Sequence, residues 1–460
     1  MGTRDRLQRL TGEITTERGT EHGSEGPRAA EIRALRERIE AILARRPESS
    51  KTAPPSMRTR GVPLEDLVPG GEITNEAGAC FCAQQIAEGS SRHGDRCIRD
   101  LTPLDMNRLS VLANDPTLGN LEYRQALFLD TETTGLAGGT GTVAFLIGVG
   151  WFDGEGGPFI TRQLFARDYA EERATLLSLR ELLRGRTFLV SFNGKAFDAG
   201  LLATRFTMNR LPNPLAGLPH LDLLHPARRL LSHRLSDRRL GALEASILGF
   251  EREGDIPGSE IPQRYFDWLR RRDGRLMADV FAHNRLDILS LAALAARLTE
   301  LLDPRVETSD RHPGDLLAAA RLFLTRDRPD EAVRLLDPLS GCSCRTTARE
   351  ASRELSLFYK RRGRWPEAVA VWEKMARGET EDFFALVELA KWHEHRRRDF
   401  RHALALTLRA CSCAAQWSPE ELTALARRRE RLERKLSSPH RTGRALPRHN
   451  ALKDPDSADR

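Results

Sequence analysis

The chain has 460 residues, seven cysteines and a formal charge of +7, with an isoelectric point near 9.2. That length exceeds what one hydrophobic core ordinarily supports, so two or three units are expected. No uninterrupted apolar run reaches the ~20 residues of a membrane helix, and the residues after Met1 are charged. A membrane-spanning or exported protein is therefore excluded from expectation, leaving a soluble cytoplasmic one.

Residues 1–60 are highly charged, with one helix expected over 31–46 followed by a Pro- and Ser-containing stretch, and read as a flexible arm and linker. Residues 61–120 are short and broken in pattern, with turns at Gly70-Gly71 and over 114–119. A larger unit over 121–303 follows. Its expected order is a strand over 126–130, a Gly-rich turn, strands over 143–152 and 159–166, a helix over 170–184, a strand over 187–193, and a helix starting at Lys195. Further α/β elements run to Leu302. Three strands on short turns, then alternating helix and strand, predict a mixed sheet flanked by helices.

The first of these strands delivers Asp130 and Glu132 at its polar end. Residues i and i+2 share a strand face, and two adjacent carboxylates tolerate each other best around a divalent cation. A strand running into a polar turn is the simpler explanation of that pair alone. Two further acidic elements follow in order: Asp198 near the start of a helix, and His283 with Asp287 on one face of a helix expected over 275–302. The loop Gly135 to Gly141 is not a nucleotide fingerprint, because no Walker lysine follows it and a strand comes next. It reads as a tight turn beside the carboxylates.

The order Asp-x-Glu, Asn-Gly-x-x-Phe-Asp and His-x-x-x-Asp resembles the three exonuclease motifs of the DEDD superfamily, on the ribonuclease-H-like fold. More specifically, the stretches 128–136, 191–198, 220–228, 255–262 and 283–289 resemble the YprB-type ribonuclease-H-like proteins of bacteria. The resemblance implies Asp130, Glu132, Asp198 and Asp287 as ligands for two ions of Mg²⁺ or Mn²⁺, and His283 as base or water-orienting group. Two such ions ~3.5–4 Å apart generate hydroxide and neutralise the leaving oxygen in phosphodiester hydrolysis. It implies a small β-rich lead-in over 61–120, and substrate contacts from Thr131, Thr133, Leu136 and Asn193, with Asn284 as a further one. Asp279, one turn before His283, is a candidate to orient the ring. One departure stands out: His283 lies four positions before Asp287, the spacing of the superfamily's tyrosine branch and not of its histidine branch. The implied activity is 3′-to-5′ exonucleolytic cleavage of single-stranded nucleic-acid ends. The alternative is a nuclease-derived protein that grips nucleic acid without cutting it and recruits a protein partner. The basic balance fits a phosphate-bearing partner, and equally an arginine-rich composition.

Beyond Pro313 the chain is helical and nearly periodic. Small residues Ala332, Ala368 and Ala403 recur at spacings of 36 and 35, close to the tetratricopeptide period of ~34. Helix pairs are expected over 316–324 with 330–336, 351–361 with 366–375, and 384–395 with 400–410. This predicts an all-α tetratricopeptide-like module over 313–436, either as a concave partner-binding surface or as a cap on the core. A disordered basic tail follows over 437–460. The cysteines are Cys80, Cys82, Cys97, Cys342, Cys344, Cys411 and Cys413, an odd number that argues for thiols. Cys80, Cys82 and Cys97 with His93 offer a structural Zn²⁺ site, as do the two later pairs together, against the simpler reading of scattered small residues.

Overall fold

Short apolar runs separated by Gly, Pro and Asp turns produce a single seven-stranded sheet. The computed structural model describes residues 61–135, 139–305, 311–377, 382–412 and 418–437. The expected arm and its helix over 31–46, Leu136 and the basic tail beyond Ser437 lie outside the described residues. The sheet begins with the hairpin β1 (Gly70–Asn75) and β2 (Gly78–Ala87). A two-stranded ribbon, β3 (Arg92–His93) and β4 (Arg96–Cys97), and a helix α1 (Met106–Ala113) follow. Then come β5 (Ala126–Thr133), β6 (Ala144–Phe152), β7 (Phe159–Phe165), α2 (Glu172–Leu182), β8 (Phe188–Ser191), α3 (Asp198–Met208) and β9 (His220–Asp222). The strand order is β1-β2-β7-β6-β5-β8-β9. All pairings are antiparallel except β5 with β8 and β8 with β9. Parallel neighbours need crossovers, and α2 and α3 supply them. The segment read as a lead-in therefore contributes two strands of the main sheet, the edge strand β1 and its neighbour β2, because Phe81 to Ala87 of β2 pair with the full length of β7.

The chain continues through α4 (Leu224–Leu231), the short α5 (Leu240–Leu243) running into a π turn at Glu244–Leu248, α6 (Ile261–Arg271) and the long α7 (Arg275–Leu301). Strand alternation sorts the two faces. Leu127, Leu129, Ile147 and Val149 meet Leu176, Leu202 and Phe206 of α2 and α3. On the other face Phe128, Phe152 and Val190 meet Ile288, Leu291 and Leu294 of α7. The helix α7 lies against the sheet because β6 has glycines where it crosses. A Cβ on Gly148 would stand 2.1 Å from Asn284 Oδ1, and one on Gly150 2.6 Å from Ile288 Cγ2.

The helical module comprises α8 (Pro313–Thr325), α9 (Pro329–Leu339), α10 (Arg345–Arg361), α11 (Trp365–Ala376), α12 (Phe383–Trp392), α13 (Phe400–Ser412) and α14 (Pro419–Ser437). Sequential helices pack on one another, and Ala332, Ala368 and Ala403 are all fully buried, as small residues at helix crossings should be. Its first pairs share a core with the sheet, since one apolar cluster runs from Val190 through Leu294 to Leu316, Phe323 and Leu355. At the far end the buried Glu394 accepts from Arg428, Arg431 and Lys435 of α14 at 2.8–3.1 Å, which ties down the last helix. Among the described residues no helix is long and apolar enough to cross a membrane.

The zinc-type cysteine grouping does not assemble. Cys80 meets Ser178 of α2 on one face of the sheet, while His93 bonds Ser290 of α7 on the other at 2.8 Å. Cys344 is exposed and hydrogen-bonds Thr346 and Thr347, Cys411 lies in α13, and Cys413 is outside the described residues.

Because the sheet and α7 touch through the missing Cβ of Gly148, Gly148→Ala is expected to lower stability by about 1–3 kcal/mol, the usual cost of overpacking. Urea unfolding checks it, and an unchanged midpoint would mean that α7 does not lie where the close approach requires.

Candidate metal centre

Asp130 and Glu132 sit on the last turns of β5 with their side chains on the α7 face, and a register shift between Glu132 and Thr133 marks where regular pairing with β6 ends. The intervening Thr131 points to the opposite face and donates its hydroxyl to Asp198. Asp198 is the first residue of α3, three positions later than the expected helix start. The delay has a cause in the loop. Asn193 takes a left-handed φ of 65°, and its N–H and that of Lys195 donate to the Asp222 carboxylate at 2.7 and 3.1 Å. Asp222 also accepts from Leu224 N–H, so one buried carboxylate staples the loop that aims Asp198. Gly194 fits only without a side chain, since a Cβ there would lie 2.4 Å from Ser191 Oγ and 3.0 Å from Asp198 Oδ2.

From the other side α7 brings His283 and Asp287, with His283 Nε2 3.5 Å from Asp287 Oδ2. Ligand atoms of Glu132, His283 and Asp287 lie within 4.8 Å of one another. Asn284, expected at the substrate, is instead fully buried. It donates to Asp130 Oδ2 at 2.9 Å and accepts from Gln163 Nε2 at 2.9 Å, while Gln163 also donates to the Phe281 carbonyl. Asn284 is a strut under Asp130. Asp279 does not orient the histidine, because Arg264 holds it at 2.7 Å. Asp255 takes that place, accepting from His283 Nδ1 at 2.8 Å. Thr133 donates its hydroxyl to the Gly135 carbonyl, and Asn193 serves the loop through its backbone.

Arg252, Glu244 and Asp255 carry roles that residue-by-residue reading did not assign. Glu244, fully buried in the π turn, grips Arg252 with both oxygens at 2.5 and 2.7 Å. Arg252 then reaches Asp255 at 3.0 Å and one oxygen of Asp287. Asp255 lies in a stretch that carries the family resemblance, which was the one available signal. Arg252 and Glu244 fall in a segment without periodicity.

The electrostatics fit a cation site. Burial, then the charges of Asp287, Glu132 and Asp198, push Asp130 well above the usual carboxylate range. Burial with Asp287 and Asp198 lifts Glu132 to about 8, against the pull of Arg252. Asp198 rises to about 6, chiefly through burial, despite its bond from Thr131. Burial raises Asp287 also, outweighing Arg252 and His283. Four carboxylates thus crowd one cleft with a single guanidinium among them, and divalent ions with oxygen preference suit that donor set.

A family model described as the ribonuclease H superfamily matches residues 127–299, from β5 to the end of α7. The uncharacterized protein YprB of Bacillus subtilis (strain 168) is 36% identical over 354 residues, covering 76% of this chain and 84% of the relative. The chain belongs to the YprB family of the ribonuclease H superfamily. The matched model spans every strand and helix that supplies a candidate ligand, and membership of the superfamily points to nuclease-type chemistry on nucleic acid. The match to YprB is longer than the superfamily domain, so the relationship extends beyond the sheet-bearing core.

The raised carboxylates set a pH dependence for the metal-free protein. Glu132 binds its proton more tightly folded, about 8, than the ordinary 4.5, so its contribution to stability is present at low pH and is lost as pH rises through 8. In EDTA, urea midpoints from pH 6 to 8.5 are expected to fall for the wild type relative to Glu132→Gln, and Mg²⁺ is expected to remove the difference. Parallel profiles in EDTA would contradict the crowding.

Proposed function

We propose that this protein is a metal-dependent 3′-to-5′ exonuclease that hydrolyses single-stranded nucleic-acid ends. The observation that carries the reading is the convergence of Asp130, Glu132, Asp198 and Asp287 from three separate elements on one half-buried cleft, with a histidine held beside them. Bound among these carboxylates, Mg²⁺ or Mn²⁺ would supply a hydroxide near neutral pH and countercharge for the leaving oxygen.

The remaining work falls to the chain's own groups. Asp255 on Nδ1 favours the tautomer that leaves Nε2 of His283 free to accept a proton from a water at the cleft. Arg252, anchored by Glu244, fixes Asp255 and one oxygen of Asp287 together, so base and ligand keep their relative positions. The four-position spacing suits this arrangement, because i and i+4 on α7 place ring and carboxylate side by side. Thr131 fixes the Asp198 carboxylate and Asn284 the Asp130 carboxylate. Phe197, 54% exposed and next to Asp198, offers a ring on which a terminal base stacks.

A second reading is favoured by one feature, the Arg252 guanidinium on Asp287: a protein in which arginine permanently neutralises that carboxylate grips nucleic acid without cutting it. Degradation of 3′- and 5′-labelled single-stranded DNA and RNA with Mg²⁺, Mn²⁺ or EDTA separates the two. Stepwise, EDTA-sensitive loss from the 3′ end, absent in Asp130→Ala, is expected. Retained binding by pure wild type with no cleavage in either metal would leave the binding protein.

Within the active enzyme, His283→Ala is expected to lower kcat about 10²- to 10⁴-fold, the range for a lost general base. Phe197→Ala should weaken substrate binding by about 1–3 kcal/mol, the usual value of one stacked base. Steady-state kinetics check both, and an unchanged kcat in His283→Ala would remove the histidine from the chemistry.

A further inference from the structure

The helical module repeats more than its small alanines. Within the pairs α8–α9, α10–α11 and α12–α13 the chain turns through residues 325–329, 361–365 and 396–400. Each turn passes through a left-handed residue: Asp327 at φ 52°, Gly363 at 72° and Arg398 at 54°. Those residues are 36 and 35 positions apart, the spacing of Ala332, Ala368 and Ala403, so the three turns are equivalent. Arginine recurs in them. Arg326, Arg362 and Arg397 each stand one position before the left-handed residue, and Arg361, Arg396 and Arg398 crowd beside them. We propose that these turns form an arginine ridge that binds the phosphate backbone of a single-stranded polynucleotide, a second nucleic-acid contact outside the carboxylate cleft.

The three turns share one side of the module. Sequential helices pack on one another through short turns, so neighbours run antiparallel and every second turn falls on the same side. Direct contacts join them. Arg362 Nη2 lies 3.5 Å from Asp327 Oδ1, which links the first turn to the second. The Arg396 guanidinium sits 4.6 Å from the centre of the Trp365 ring, which links the second to the third. The row continues onto the core, since burial and then the charge of Arg229 on α4 hold Arg326 below the ordinary guanidinium range. The turns on the other side, 340–345 and 377–382, have one arginine each, and the second has three acids. An arginine-rich composition alone does not sort two sides of one module in this way.

The charges are not consumed inside the protein. Asp399 caps α13, accepting from His402 N–H at 3.0 Å, Glu367 pairs with Arg364 at 2.8 Å, and Glu394 is held beneath α14 by Arg428. Among the described residues this leaves Arg361, Arg396, Arg397 and Arg398 without an ion pair, and all four are exposed. Aromatic rings support the guanidiniums instead: Arg362 lies 5.8 Å from the Phe358 ring centre and Arg397 5.6 Å from that of Trp392. A guanidinium laid on a ring keeps its in-plane N–H fork open for a bidentate phosphate and loses little freedom on binding. Helix dipoles do not explain the cations, because each turn joins a C-terminus that favours them to an N-terminus that opposes them. With arginine covering those rings, the ridge offers charge and not a stacking platform, so it meets backbone and not bases. An acidic peptide would satisfy the same donors. The ribonuclease H superfamily domain on the same chain is what favours a polynucleotide.

The test uses full-length protein in EDTA, so that nothing is cut, with a fluorescently labelled single-stranded oligonucleotide and anisotropy read over a salt series. One variant combines Arg362→Gln, Arg396→Gln and Arg397→Gln, and a second combines Arg345→Gln and Arg377→Gln on the other side. The triple variant is expected to melt at the wild-type Tm, since its three side chains are exposed. It is expected to bind about tenfold or more weakly at low salt, and the slope of log K against log salt should fall by about 2, at ~0.7 for each lost phosphate contact of a single strand. The other-side variant should follow wild type. If the combination melts early, Arg397→Gln alone, with a slope lower by about 0.7, carries the test. Wild type that does not bind, a ridge variant that binds like wild type, or an equal loss on the other side would overturn the ridge. So would a labelled glutamate peptide of equal charge bound more tightly than the oligonucleotide and lost in the triple variant, which would assign the arginines to an acidic protein. The ridge requires binding and not cleavage, whereas degradation assays with Asp130→Ala report on the cleft, so the two readings fail separately.

Discussion

Like charges do not share a cleft unless something holds them there, and the arrangement around Asp130, Glu132, Asp198 and Asp287 is organised against their repulsion. Three of the four have their own restraint: Asn284 and behind it Gln163 for Asp130, Thr131 for Asp198, Arg252 for Asp287. These restraints are neutral except one, so the net charge of the cleft stays negative, and the protons that burial drives onto Glu132 mark the space a cation would fill. A fold selected for stability alone has no reason to place four acids there, which is why strained electrostatics of this kind cluster at functional sites.

The scaffold follows from that demand. Asp130 and Glu132 need a central strand, and Asp198 needs a crossover helix that begins at the same end. His283 and Asp287 need a helix laid directly over the strands, which Gly148 and Gly150 permit by having no side chain. Arg252 occupies an unusual position in this scheme. The buried Glu244 holds it with both oxygens, and it binds Asp287, the carboxylate four residues along α7 from His283, so it sets both the charge and the geometry of the α7 side. The helical module is joined to the same core through Leu294, Leu316 and Phe323, so its first pairs form a continuation of the core, while the later helices extend beyond it.

Much of this was legible in the residues. Apolar periodicity marked β5 to β8 and α7 nearly to their ends, and the recurring Ala332, Ala368 and Ala403 marked the helix crossings. The acidic motifs named residues that the fold does bring to one place. What stayed hidden has physical reasons. Pairing of β1–β2 with β7 is a long-range choice that local pattern does not encode. Asn284 has the sequence context of an exposed polar residue beside His283, and only the position of Gly148 across the interface explains its burial. Arg252 and Glu244 sit in a loop and a π turn, where no period distinguishes a structural ion pair from surface charge. Asp279 and Asp255 illustrate the same limit: helical spacing favoured the former, whereas the fold supplied the latter from a loop.

Binding of Mn²⁺ followed by electron paramagnetic resonance is the most direct measure of whether the acids form one cation site. Free Mn²⁺ has a strong six-line signal that is lost on binding, so titration counts occupied positions without any assumption about substrate. If Asp130, Glu132, Asp198 and Asp287 share a cation site, wild type removes Mn²⁺ signal that Asp130→Asn and Asp287→Asn do not remove. Equal Mn²⁺ uptake by wild type and both variants would mean that the carboxylates are crowded for some other reason.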